Sequence, residues 1–167
     1  MQKIGFGGGC HWCTEAVFSA LAGVETVLQG WISSAKAIEL SEAVIVKFDP
    51  QVIPLEVLIE IHLFTHSSTA SHSMRGKYRS AIYTFDEESQ KISEQILLQK
   101  QTLFEKPLVT KVYPFKNFQL NKEQYLNYYE KNSSGAFCQR YIEPKLQLLL
   151  QKYTQHLPSD ETKRNKF

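Results

Sequence analysis

The feature that most narrows the folds open to this chain is the order in which its apolar spacing switches between strand and helix periods. Lys3 to Gly7 reads as a short strand, and Gly7, Gly8 and Gly9 lead into a helical pattern from about Trp12 to Leu21, with Val17, Phe18 and Leu21 at helical spacing. Gly23 stops that helix, and Val24 to Trp31 carries the β-branched residues of a strand. Ala43 to Phe48 follows, with Val44, Val46 and Phe48 on one face and Asp49-Pro50 as its close. Pro54 opens a second helix striped by Leu55, Leu58, Ile59, His62 and Leu63, and Arg79 to Phe85 reads as a fourth strand. Strand, helix, strand, strand, helix, strand is the order of split βαβ, ferredoxin-like folds. The expected class is therefore α+β, a two-layer α/β sandwich with helices on one face of a sheet. Further on, Asp86 caps a helix with Glu87 and Glu88 against its dipole, and Leu108 to Tyr113 adds a C-terminal strand. Asn121 with Gln124 resembles a capping box for a helix through about Asn132, and Pro144 starts a last helix faced by Leu146, Leu149, Leu150 and Tyr153.

A chain of 167 residues suits a single domain, expected over residues 1–157. Pro158 to Phe167, with Asp160, Glu161, Lys163, Arg164 and Lys166, is expected to fray as a charged tail. A net charge of +2 gives no electrostatic basis for nucleic acid or an anionic membrane as partner. No apolar run approaches the ~18 residues of a membrane span. Met1-Gln2-Lys3-Ile4 enters the first expected strand directly, so no signal peptide is expected. Three cysteines are too few, and odd in number, for a secreted disulfide framework. The expectation is a cytoplasmic monomer with reduced thiols.

The chemistry concentrates in Gly7-Gly8-Gly9-Cys10-His11-Trp12-Cys13-Thr14-Glu15. Glycines allow a sharp strand-to-helix turn that leaves a thiol uncovered, and helix N-terminal amides favour thiolate, the nucleophilic form. Cys13 lies one helical turn on, within reach of Cys10 for a disulfide. Three classes use such a thiol: a thioredoxin-like oxidoreductase, a metal site, and an enzyme whose cysteine attacks an oxidised substrate and is regenerated by a second thiol. The metal class has least support. His62 sits on an apolar stripe as a hydrogen-bonded core histidine would, and His66 and His72 lie in a Ser/Thr-rich loop without paired ligand spacing.

This segment resembles the Gly-Cys-Phe-Trp signature of A-type peptide methionine sulfoxide reductases. The resemblance continues in Ser41 to Pro50, in Tyr78-Arg79-Ser80-Ala81-Ile82-Tyr83, in Tyr125 to Asn132 and in Phe137-Cys138. It implies thiol-dependent reduction of methionine S-sulfoxide, free or in proteins, and so repair of oxidised protein. It implies no metal or organic cofactor, and an external dithiol such as thioredoxin as reductant. Carried over, Cys10 is the nucleophile, Trp12 the apolar wall for the methyl group, Glu42 the proton donor to the sulfoxide oxygen and Tyr78 a second donor. Tyr128 (or Tyr129) completes the pocket, and Cys138 matches a recycling cysteine. Physical logic agrees: sulfoxide oxygen leaves only when protonated, and a partly dry pocket keeps a carboxyl group protonated.

Several positions depart from the family pattern. His11 replaces a phenylalanine of the methyl-binding wall, and its ring could carry protons or support the thiolate. Trp31, in Gly30-Trp31-Ile32-Ser33-Ser34, stands where an oxygen-donating tyrosine is expected, and its indole can donate one hydrogen bond. Ser73, beside His72, replaces an aspartate, and no glycine-rich cysteine tail follows Cys138. Two thiols could resolve a sulfenic acid at Cys10: Cys13 by proximity, Cys138 by resemblance, and the second is preferred. Two other functions fit some features, a thiol–disulfide oxidoreductase using Cys10 and Cys13, and a non-catalytic relative that binds methionine-containing peptides.

Overall fold

A strand segment with apolar side chains on both faces must be covered twice, and Ala43, Val44, Ile45 and Val46 are all buried. The computed structural model, which describes residues 1–159, shows how. Five strands, β1 (Gln2–Gly7), β2 (Val24–Ser34), β3 (Ala37–Phe48), β4 (Ala81–Thr84) and β5 (Lys111–Leu120), pair in the cyclic order β1-β3-β2-β5-β4. All pairs are antiparallel except β4 with β5. The expected open sandwich is thereby corrected: β5 pairs with both β2 and β4, and the sheet closes into a barrel. The reason is the inner face. Ile32, Ala43, Ile45, Ala81 and Tyr83 cluster there with Phe85, Tyr113, Phe115 and Phe118, an apolar set that an open sheet would leave wet.

The outer face of β1 and β3, carrying Ile4, Phe6, Val44, Val46 and Phe48, packs against helices α1 (His11–Ser19), α2 (Leu55–Thr65) and α5 (Glu143–Lys152). Phe6 and Phe18 stack at 4.6 Å between ring centroids at the centre of this larger core. The helix starts at Pro54 and Asp86 stand where the sequence places them. Pro54 is the N-cap of α2, and the Asp86 carboxylate accepts from the Ser89 amide at 2.7 Å at the head of α3 (Glu87–Lys100).

Three sequence readings change. β2 and β3 are longer than their apolar runs and meet in a tight hairpin at Ala35-Lys36. The last strand begins at Lys111 and runs through Pro114, which lies beside Thr84 of β4, to Leu120, and its ladder with β2 slips between Ser33 and Ser34. The helix expected from Asn121 is only the short α4 (Tyr128–Asn132), broken off by Asn127 in left-handed geometry at φ 53°. Asn121 caps nothing; its amide points back to Gln29 and His11. Gly30 is required where β2 meets β5, since a Cβ there would strike the Gln119 carbonyl oxygen. Of the charged tail, all but Pro158 and Ser159 lies outside the described residues. Among the described residues no helix is long and apolar enough to cross a membrane.

Candidate active site

Cys10 is the N-cap of α1 and half-buried, where the turn from β1 delivers it. Its carbonyl accepts from the Cys13 and Thr14 amides, so the first helical turn closes directly on this residue. The Cys10 thiol is held below its usual range, first by a hydrogen bond from the Cys13 thiol and then by the backbone N–H groups of Trp12 and Cys13. Burial and the charge of Glu42 oppose this without overcoming it. Cys13 is buried and pushed far up by the same contact, which makes it the proton-bearing partner. Cys138 is fully buried, and its charge would act on Cys13, so the three sulfurs form one cluster. Burial and Glu143 raise the Cys138 thiol.

Cys10 and Cys13 open onto a cavity of about 580 Å³ whose lining includes Gly8, Gly9, His66, Tyr78, Phe137 and Lys145. His66 forms the floor beside Gly8, where a Cβ would collide with its imidazole. Arg75 binds the loop to this floor, donating to the carbonyls of Gly8 and Tyr78, each at 2.9 Å, and to those of Ser67 and Ala70. That clamp fixes Tyr78 at the rim, with His72 also in the lining and its ring accepting from the Met74 amide, while Ser73 is exposed on the same loop.

Glu42 lies behind the nucleophile rather than in the cavity lining. It is 5% exposed, with Oε1 accepting from the His11 amide at 3.3 Å and Oε2 3.6 Å from Lys77 Nζ. Lys77 also engages Tyr78, its ammonium 5.1 Å from that ring centroid, so one exposed cation bridges the carboxylate and the phenol. His11 is buried, with Nδ1 2.7 Å from the Gly30 carbonyl oxygen and Nε2 3.3 Å from Glu42 Oε1. Burial lowers its pKa, against the Gly30 carbonyl and the Glu42 charge. Trp31 meets the His11 ring edge-on at 5.0 Å and pairs with Glu42 across the β2–β3 ladder.

Trp12 stands on the other side of the nucleophile. Its indole stacks on Tyr128 at 3.9 Å and on Tyr125 at 5.6 Å, with Phe137 edge-on at 5.3 Å. Tyr129 belongs elsewhere: its hydroxyl donates to Glu143. Of the two tyrosines, Tyr128 is the one stacked on Trp12. The structure thus gathers Cys10, Cys13, Cys138 and Tyr78 around or behind one cavity, Glu42, His11 and Trp31 on one flank, and Trp12 with Tyr128 on the other.

Sequence reasoning missed Lys77, Asn121, Glu15 and Lys145. Lys145 had a signal: it precedes Leu146 and lies four residues before Leu149, at the margin of the apolar stripe of α5. Its ammonium donates to the Thr65 carbonyl, and burial lowers its pKa. His62 is a satisfied core histidine, its Nε2 donating to the Gly7 carbonyl at 2.9 Å. Among the described residues no three His, Cys, Asp or Glu side chains converge on a metal-sized site.

The sequence model of the family described as "Peptide methionine sulfoxide reductase" matches residues 2–157. The MsrA of Psychrobacter sp. strain PRwf-1 is 32% identical across 94% of this chain and 99% of its own length. That of Acinetobacter baumannii strain SDF is 35% identical across 96% and 100%. Among solved structures, reduced Mxr1 from Saccharomyces cerevisiae superposes with a TM-score of 0.74 at 23% identity, covering 82% of this chain and 88% of that one. The methionine sulfoxide reductase A of Corynebacterium diphtheriae does so with 0.67 at 19% identity, over 80% and 76%. Sequence match over nearly the whole length and a cavity lined by Cys10 agree, and the chain belongs to the A-type peptide methionine sulfoxide reductases, thiol-dependent enzymes that reduce the S-sulfoxide of methionine.

Proposed function

We propose that Cys10 carries out this reduction as nucleophile, with Glu42 supplying the proton and Tyr78 a hydrogen bond to the sulfoxide oxygen. The observation that carries the reading is the lowered Cys10 thiol at a helix start, open to a cavity rimmed by Tyr78. The thiolate attacks the sulfoxide sulfur, the oxygen passes to Cys10 as sulfenic acid, and methionine leaves. Trp12 with Tyr128 is the apolar wall for the methyl group, while His11 and Trp31 line the oxygen side. The proximity of the Cys13 thiol to Cys10 supports Cys13 as the first resolving group: it condenses with the sulfenic acid and releases water. Cys138, also buried, then receives the disulfide by exchange. This order departs from the preference for Cys138 as first partner, because the contact between thiols runs from Cys13 to Cys10.

A dithiol protein restores the enzyme in this reading. Mxr1 of yeast has been crystallised in complex with Trx2, and thioredoxin is the reductant we infer here. We further infer a cytoplasmic, monomeric enzyme of one domain over residues 1–157 that needs no cofactor. The test is turnover of the two separated sulfoxide epimers with dithiothreitol. Reduction of the S epimer alone, abolished in Cys10→Ser, is expected; turnover by Cys10→Ser overturns the assignment. Peptide mapping after one equivalent of substrate should recover Cys10 linked to Cys13, and a Cys10–Cys138 link alone would reverse the proposed order.

The hydrogen bond from the Cys13 thiol to Cys10 also favours a second reading, general thiol–disulfide exchange by the Cys10/Cys13 pair. Glu42→Gln separates them. Loss of sulfoxide reduction with disulfide exchange intact supports the reductase chemistry, and parallel loss of both supports exchange.

A further inference from the structure

A sulfoxide sulfur carries three substituents, and the chemistry proposed above gives places to two of them. The oxygen goes to Tyr78 and the Glu42 flank. The methyl group goes to the aromatic wall, which Phe137, edge-on to Trp12 at 5.3 Å, continues into the cavity lining. The third substituent is the carbon chain that ends in the amino acid's own amino and carboxyl groups. It is left with the rest of the lining, chiefly Thr14, Thr65, His66, Ser67, Tyr141 and Lys145.

That remainder has a charge of one sign. His66 is held neutral, its pKa down at about 3, whereas Lys145 brings an ammonium group. Among the described residues no aspartate or glutamate lines the cavity, and no carboxylate forms an ion pair with Lys145. One of its three N–H donors goes to the carbonyl of Thr65, itself in the lining, which anchors the head of the side chain at the cavity and leaves two donors for what enters. Arg75 adds positive charge from behind, its guanidinium tied to the carbonyls of Gly8, Ser67, Ala70 and Tyr78. A cation withdrawn from water without a carboxylate is costly, and an anionic ligand removes that cost. Burial does work against the Lys145 charge, and the groups that favour it are the sulfurs of Cys13 and Cys10.

We propose that Lys145 receives the free α-carboxylate of the substrate, so that the preferred substrate is a methionine S-sulfoxide with its own carboxyl group unblocked, at the C-terminal end of a peptide or as the free amino acid. In an extended side chain the carboxyl carbon lies roughly 5 Å from the sulfur, so both ends of the residue fit one cavity of about 580 Å³. A sulfoxide within a chain presents a neutral amide at the same place and gains no charge-assisted bond there.

The inference rests on the reading of Cys10 as nucleophile in this cavity, and the test keeps the two apart. With dithiothreitol as reductant, kcat/KM for N-acetylmethionine S-sulfoxide should exceed that for its N-methylamide about tenfold, and Lys145→Met should bring the ratio to about one. Any effect of the substitution on the thiols is common to both substrates and cancels in the ratio. Equal kcat/KM values in wild type, or a preference that persists in Lys145→Met, overturn the carboxylate contact and leave the reductase chemistry standing. Calorimetric binding of the same two compounds to Cys10→Ser reads the contact without turnover. Tighter binding of the acid by about tenfold supports it even where Cys10 fails as nucleophile, and equal binding overturns it. Free methionine S-sulfoxide tells the two sources apart. Its ammonium meets Lys145 as a like charge, so it should fall below the N-acetyl acid; the reverse order keeps the carboxylate contact and assigns it to the free amino acid.

Discussion

Residues 1–120 and residues 121–157 build the site by different means. In the first part, backbone ladders of a closed barrel and the helices against it fix Cys10, His11 and Glu42, whose neighbours are one another. The second part has short turns, the five-residue α4, a π-helical turn at Cys138–Ile142 and α5. It is tied to the first by buried side chains: Glu15 accepts from the Asn127 and Tyr128 amides, and Gln29 donates to the Tyr125 carbonyl at 2.9 Å. His11 and Glu42 are thus placed by the barrel ladders and the helix start. Tyr128 reaches Trp12 from a segment that combines these polar ties with the apolar packing of Ile142, Leu146 and Leu149 in the main core.

The largest expected effect breaks the first part from within. His62 and His66 stack at 4.1 Å beneath the glycine turn, and burial holds His62 well down and His66 at about 3. Their folded pKa values lie below the unfolded one, so the unfolded chain takes up protons first as pH falls. Stability is full above about pH 6.5, falls below it, and goes on falling down to about 3 for His66. At pH 5 each histidine that stays neutral in the fold costs about 2 kcal/mol, so the pair should cost about 4 kcal/mol relative to pH 7.5. Urea unfolding at the two pH values measures it, and His66→Gln should remove about half of the acid sensitivity. Equal acid loss in that variant would move the cause to other groups.

These contrasts also explain what was legible. Pro54 and Asp86 announce helix starts through bonds that reach only a few residues, and such signals survive in one dimension. Cys10 and Cys13 were legible for the same reason: a glycine turn, a helix start and a thiol are adjacent in sequence. Barrel closure was not, because it depends on β5 meeting β2 and β4 across long separations, and Pro114 reads as a stop although β5 continues through it beside Thr84. Asn121 looked like a cap because Gln124 follows at the right spacing, yet its amide serves Gln29 and His11, far away in sequence. Lys77 reads as an ordinary surface lysine, and only the fold brings it to Glu42.

The tie between the two parts gives the next effect. The Glu15 carboxylate is buried and takes both amides at 3.0 and 3.1 Å, which holds Tyr128 against Trp12. Desolvation raises its pKa, a sign that burial works against its charge even with these bonds. Glu15→Ala strands two amides and should cost about 2–3 kcal/mol in chemical unfolding. It should also raise KM for the S-sulfoxide more than it lowers kcat, since the wall loosens while Cys10 and Glu42 stay in place. A fall in kcat at unchanged KM would show that the wall and the proton-handling flank are not separable.

An exposed tie completes the scale. Lys100 reaches from α3 to two carboxylates of α2, with Nζ 2.8 Å from Glu56 Oε1 and 3.1 Å from Glu60 Oε1. These contacts raise the Lys100 pKa, first through Glu56, so by distance alone it rivals Glu15. The difference is water: Glu56 is well exposed, and solvent screens the pair and competes for both partners. Lys100→Met should therefore cost less than about 1 kcal/mol, leave sulfoxide reduction unchanged, and converge with wild type in about 1 M salt. Thermal unfolding at low and high salt measures this. A salt-resistant loss as large as that of Glu15→Ala would mean that the number of bonds, not their burial, decides which ties hold the molecule together.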